Sequence, residues 1–179
     1  MKLKVQPSNR ETVLDEDEMI ISKTDTKGKL TYVNRTFMKI SQLSEEELLG
    51  VQHNIIRHPD MPRGVFKLLW DTLERGEECF AYVKNMSKDG GFYWVLANVT
   101  PDYDNQGRLQ GYYSVRRRPS RESIAAVTPI YQAMLNIERQ HSPKEALQRS
   151  TEYLDQTLTS QGISYNQFIF SLLRKEGYL

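Results

Sequence analysis

The chain has 179 residues, 39% of them hydrophobic and 26% charged, with 24 basic against 23 acidic side chains and a net charge of +1. That length admits one sizeable core plus a short extension, and the even charge balance gives no electrostatic footprint for nucleic acid or an anionic membrane surface. The single cysteine, Cys79, forms neither an internal disulfide nor a multi-cysteine metal site, which suits a reducing cytoplasm, and no stretch approaches the ~20 apolar residues of a membrane span.

Residues 1–18 are polar and end in the acidic run Asp15, Glu16, Asp17, Glu18, which predicts an extended or loosely helical N-terminal arm. Met19, Ile20 and Ile21 then open a β-like run that meets Asp25-Thr26-Lys27-Gly28 and continues in Leu30, Tyr32 and Val33. Aspartate bonds its own backbone and glycine tolerates positive φ, so the four residues between two such runs predict a hairpin. The device returns at Lys88-Asp89-Gly90-Gly91, between Phe80–Met86 and Phe92–Pro101, and at Asp104-Asn105-Gln106-Gly107, before Leu109–Arg116. Five antiparallel strands in a two-plus-three grouping follow.

Between the groups the spacing turns helical. Phe37, Ile40 and Leu43 keep a three-residue step, and Ser44 with Glu47 reads as a capping box ahead of Gly50. A second helix is expected from Asp60-Met61-Pro62, with Asp60 as N-cap, Val65, Leu68 or Leu69, and Leu73 on its apolar face, and Gly76 at its end. Two strands, short helices, then three strands describe an α+β domain with helices on one face of an antiparallel sheet, over residues 19–119. From Ser120 hairpin turns stop and helix starts appear at Thr128-Pro129, Ser142-Pro143 with Glu145, and Ser164 with Gln167, so residues 120–179 read as a C-terminal helical extension. Its stripe Ile124, Val127, Tyr131, Met134 suits packing on the sheet or on a second copy, and the cluster Phe168 to Leu173 suits packing within the chain.

Enzyme signatures are missing: there is no G-x-S-x-G, Walker loop, dinucleotide fingerprint or H-E-x-x-H, and no metal-ligand spacing around His53, His58 or His141. No catalytic role is therefore expected, and Cys79 reads as a buried small side chain at a strand start. The dense constellation is instead Asn54-Ile55-Ile56-Arg57-His58-Pro59-Asp60-Met61-Pro62, followed by Trp70.

The run Asp25, Gly28, Leu30, Tyr32, Val33, Asn34 resembles the opening of PAS sensory domains, and the block Gly50 to Pro62 is similar to the flavin-binding PAS domains of bacterial aerotaxis transducers. Val83-Lys84-Asn85, Tyr93-Trp94-Val95, Ala97-Asn98 and Gly111 to Arg116 continue the match in order. The resemblance implies a PAS fold, FAD held non-covalently between helices and sheet, and a redox state that reports oxygen or electron-transport status in an aerotaxis-like manner. It implies flavin contacts at His58, Asp60 and Trp70 and a matching polar position at Asn34. At the start of the strand after Gly76 these domains carry Trp, a small residue and Gly, where this chain has Cys79-Phe80-Ala81.

The residues themselves support a ring site. Asn85 shares a strand face with Cys79, Ala81 and Val83, a small-residue stripe that leaves volume for a flat ring and sets one amide, both donor and acceptor, at its edge. Arg57 suits a pyrophosphate as a bidentate donor. Each also has a plain structural alternative: Asp60 as helix cap, Arg57 as surface, Trp70 as core, Asn34 as turn former.

The expectation is a cytoplasmic signal-transduction protein, a homodimer that passes its signal to a separate downstream protein. The alternatives are a cofactor-free PAS interaction or dimerisation module and a haem sensor using His53 or His58 as axial ligand. A light-activated flavin-thiol sensor does not fit, because the Asn-Cys-Arg string of that photochemistry is missing.

Overall fold

Each hairpin turn closes as its residues dictate. In the computed structural model, which describes residues 5–178, Asp25 Oδ1 accepts the N–H groups of Lys27 and Lys29 at 2.8 and 2.9 Å, and Gly28 takes the left-handed φ of 77° that completes the turn. This joins strands β1 (Ile20–Asp25) and β2 (Leu30–Val33). Strands β3 (Cys79–Met86), β4 (Phe92–Tyr103) and β5 (Leu109–Arg117) form the second group. All pairings are antiparallel, in the order β2-β1-β5-β4-β3, so β5 bridges the two groups through β1. The expected α+β class and five-stranded sheet are what the chain adopts.

Helices α1 (Arg35–Ser41), α2 (Glu45–Leu48) and α3 (Arg63–Glu74) and a 3-10 turn at His53–Ile56 lie between the groups. The Ser44–Glu47 capping box forms as expected, and α3 buries Val65, Leu69 and Leu73. One cap differs from expectation. Helix α3 begins at Arg63 and Asp60 does not cap it; the N–H groups of Arg63 and Gly64 donate instead to the Glu138 carboxylate at 2.9 and 3.0 Å. A carboxylate at a helix start satisfies orphan donors and meets the positive end of the helix dipole wherever in the sequence it comes from.

Glu138 belongs to the C-terminal extension of α4 (Arg121–Gln140), α5 (Pro143–Thr159) and α6 (Tyr165–Lys175). Helix α4 starts at its N-cap Ser120 rather than at Thr128-Pro129, and it carries Pro129 in its interior. Its stripe packs within the chain: Val127, Tyr131 and Met134 are buried, as are Ile169, Leu172 and Leu173 of α6. The hydroxyls of Tyr131 and Tyr165 donate to the carbonyls of Tyr82 and Phe80, so α4 and α6 blunt the free edge of β3. Over its described residues, 5–18, the N-terminal arm is neither helical nor free. Phe92 N–H donates to Arg10 O and Thr12 N–H to Phe92 O, which places the arm beside the first residues of β4, beyond the point where β5 stops pairing. Among the described residues no helix is long and apolar enough to cross a membrane.

Candidate functional site

Sheet register decides what faces the helices. Antiparallel pairing sets Asn85 opposite Tyr93, Ala81 opposite Ala97, Ala97 opposite Arg116, and Ser114 opposite Ser22. Because side chains alternate, these residues share the inner face with Val83, Val99 and Tyr112. Small side chains at its centre leave a cavity of about 140 Å³ between sheet and helices. Phe66, Leu69, Trp70 and Leu73 of α3 form the opposite wall, and Gln52, His53, Asn54 and Arg57 close one side. An apolar lining with a few convergent polar groups is that of a small-molecule site.

Three of the expected site residues meet there. Trp70 packs edge-on against Tyr112 with centroids 5.2 Å apart, and its ring lies so close to Gly28 that a Cβ there would stand 3.3 Å from it. Asn85 is 3% exposed and its Nδ2 has no hydrogen-bond partner. Arg57 pairs with Asn85 through an isolated backbone bridge; its guanidinium lies 4.8 Å from the Phe66 ring and donates to Met61 O at 2.7 Å. Burial lowers the pKa of Arg57 below its ordinary value, against the opposing pull of Glu138.

The other three stand outside the cavity. Asn34 caps α1: its Oδ1 accepts from Phe37 and Ile21 N–H groups at 3.0 and 3.1 Å and its Nδ2 donates to Met19 O at 2.8 Å, so every polar atom of the amide is engaged locally. His58 is buried, and its Nδ1 accepts the Asp60 N–H at 3.1 Å. Burial, reinforced by the Lys84 ammonium, brings its pKa down to about 4 despite the Asp60 carboxylate. Asp60 pairs with Lys84 at 2.9 Å, which outweighs the upward push of burial and holds its carboxyl below the usual range. Asp60 thereby ties the segment before α3 to β3, and His58 packs edge-on against Phe92 of β4.

Sequence reasoning missed the polar inner wall. Arg116 is 6% exposed, donating from Nη1 to Ser22 Oγ at 3.1 Å and from Nη2 to His53 Nε2 at 2.7 Å. The signal was present as period-two alternation in Tyr112, Ser114 and Arg116, which places an arginine on the same face as Ala97. Cys79 is buried and its thiol pushed up to about 12 by burial, which keeps it protonated and unreactive.

A family model described as PAS fold matches residues 30–116. The chain is 42% identical over 127 residues to the aerotaxis receptor of Escherichia coli strain K12, covering 71% of this chain and 25% of that protein. It is 28% identical over 106 residues to the nitrogen fixation regulatory protein of Klebsiella pneumoniae, covering 59% of this chain and 21% of that one. The chain thus spans a quarter or less of either relative's length. A light-oxygen-voltage domain solved in work with a flavin analogue superposes with a TM-score of 0.55 at 21% identity, covering 64% of this chain and 86% of that one. The light state of the blue-light photoreceptor Aureochrome1 LOV gives 0.55 at 17%, covering 64% and 90%. These two likenesses are of fold.

Proposed function

Because the chain carries a domain of the PAS fold family, related to that of the aerotaxis receptor, we propose that it is a cytoplasmic sensor that holds FAD in the cavity and reports redox or oxygen status. The observation that carries this reading is the Asn85 amide. A buried side-chain N–H without an acceptor costs roughly 1–3 kcal/mol, and Asn85 Nδ2 is such a group on the wall of the cavity. The edge of an isoalloxazine alternates acceptors and donors, so it offers this amide a complement, while Val83, Val99, Leu69, Leu73 and Trp70 offer the ring flat apolar contact. Arg57, less buried than Asn85, suits the pyrophosphate.

Bound FAD supplies reversible electron transfer. The chain's own part is to orient the ring through Asn85, to exclude water through α3, and to transmit changed hydrogen bonding at the sheet to the helices packed on it. The output passes to a separate signalling protein, and a homodimer is the form we infer for the sensor. A haem at this site would need a free imidazole nitrogen in the cavity. His53 Nε2 accepts from Arg116 and His58 lies elsewhere, which favours flavin.

The test is direct. Apoprotein incubated with FAD and passed through gel filtration is expected to carry the absorbance of bound oxidised flavin. A protein that emerges colourless overturns the reading and leaves the cofactor-free PAS module in its place.

A further inference from the structure

Helix α4 is held to the rest of the molecule near both ends and weakened in its middle. At its start, Ser120 N–H donates to Glu176 Oε1 and Arg121 pairs with Glu11, both at 2.8 Å. Toward its end, Glu138 accepts from Arg63 and Gly64 of α3 and from Ser150 Oγ of α5, and Gly64 is packed so closely that a Cβ there would stand 2.8 Å from Met134 Cε. Between these anchors lies Pro129. Proline has no N–H, so the Ala125 carbonyl loses its intrahelical donor and this turn is held by fewer bonds than its neighbours. Ala125 and Pro129 are exposed, which puts the missing bond on the solvent side and lets the helix bend toward the sheet. On that side lies a second cavity of about 170 Å³, lined by Thr128, Tyr131 and Gln132 of α4 and by Lys84, Phe92 and Trp94 of β3 and β4. Lys84 and Trp94 alternate with Asn85 and Tyr93, so this cavity opens on the outer face of the sheet. The Tyr131 and Trp94 rings stack there with centroids 6.4 Å apart.

We propose that α4 is a lever hinged at Pro129, which carries a displacement of α3, through Glu138, to the Tyr131–Trp94 stack on the outer face of the sheet. Its link to a bound cofactor rests on the flavin reading above. Phe66, Leu69, Trp70 and Leu73 of α3 wall the first cavity, so a ligand that fills it bears on α3. The start of α3 is bonded to Glu138, and the second half of α4 moves with it. The first half stays where Glu176 and Glu11 hold it. The difference is taken up at the turn that lacks a bond, beside the cavity that gives Tyr131 room to shift over Trp94. Packed interfaces change arrangement in discrete steps and only where there is volume to receive a side chain. The bond from the Tyr131 hydroxyl to Tyr82 O, 2.8 Å long, marks the arrangement described here.

The full chain is labelled with fluorotryptophan and followed by fluorine NMR, with W94F identifying which of the two tryptophan signals belongs to Trp94. E138A, which frees the second half of α4 from α3, is expected to shift the Trp94 signal in the apoprotein, with no ligand present. E138Q keeps one acceptor oxygen and is expected to shift it less; it carries the comparison if E138A does not fold. In the P129A background, where alanine restores the N–H and favours the helix, the E138A shift is expected to fall by about half or more. FAD loading is expected to move the same signal in the parent, and by about half as much or less in E138A and in P129A. Apoprotein variants at Glu138 whose Trp94 signal coincides with the parent's, or a parent in which bound FAD leaves it unmoved, overturn the lever and leave the flavin reading standing. A full response in P129A and in the double variant overturns the hinge. A parent that takes up no FAD overturns the flavin reading, and the apoprotein shifts then decide the lever by themselves.

Discussion

Glu138 Oε1 accepts the backbone N–H of Gly64 at 3.0 Å, so a side chain of the C-terminal extension caps the helix that carries Trp70. Removing it in E138A leaves two N–H groups at the start of α3 without their protein acceptor and is expected to cost about 1 kcal/mol, the usual worth of a helix cap. Hydrogen exchange should accelerate at Arg63 and Gly64 ahead of the rest of α3. Melting and exchange identical to the parent would show that water serves the helix start equally well.

Gly64 also measures how closely α3 meets the extension. A Cβ there would stand 2.6 Å from Ser150 Oγ and 2.8 Å from Met134 Cε. Alanine ordinarily favours a helix over glycine by up to about 1 kcal/mol; here G64A is expected to lower stability by about 1–3 kcal/mol through overpacking. The double variant G64A/S150G should recover part of that loss, because it removes the nearest obstructing atom. Additive losses in the double-mutant cycle would refute the contact.

Acid is expected to weaken the fold through His58. Its folded pKa of about 4 lies below the unfolded value near 6.5, so the unfolded chain binds the extra proton between those limits. Stability is therefore full above about pH 6.5 and falls as the pH drops toward 4. At about 1.4 kcal/mol per unit, the His58 contribution to the loss is about 2 kcal/mol by pH 5. Urea unfolding at pH 7 and pH 5 measures it, and H58Q should flatten the dependence. An equally steep slope in H58Q would assign the effect to His53, whose pKa is displaced in the same direction.

At Asn85 stability and binding should move apart. N85L removes a buried donor that has no partner in the protein, so the apoprotein is expected to melt at the same or a higher temperature than the parent while FAD uptake falls tenfold or more. A variant that loses both together would mean that Asn85 serves the fold rather than the ligand.

The hairpins and two capping boxes were legible because their signals are local: Asp25 with Gly28, Ser44 with Glu47 and Ser164 with Gln167 interact across three residues of chain. The start of α3 was not. Asp60 stands where a cap is expected, yet it pairs with Lys84 of β3, and the acceptor comes from 74 and 75 residues downstream. The site divides the same way. Asn85 was readable as an interior amide on a small-residue stripe, whereas the role of Arg116 depends on reaching Ser22 of β1, 94 residues away in sequence. Asn34 shows the converse: it falls at a matching position, but its amide is fully engaged in capping α1.

The contact between Glu11 and Arg121, 2.8 Å apart, joins the arm that leads into the domain to the first turn of the helix that leads out of it. The two segments that flank the five-stranded sheet domain therefore meet at one corner. Because the arm also bonds to Phe92 of β4 and α4 to Tyr82 of β3, that corner is tied directly to the far edge of the sheet.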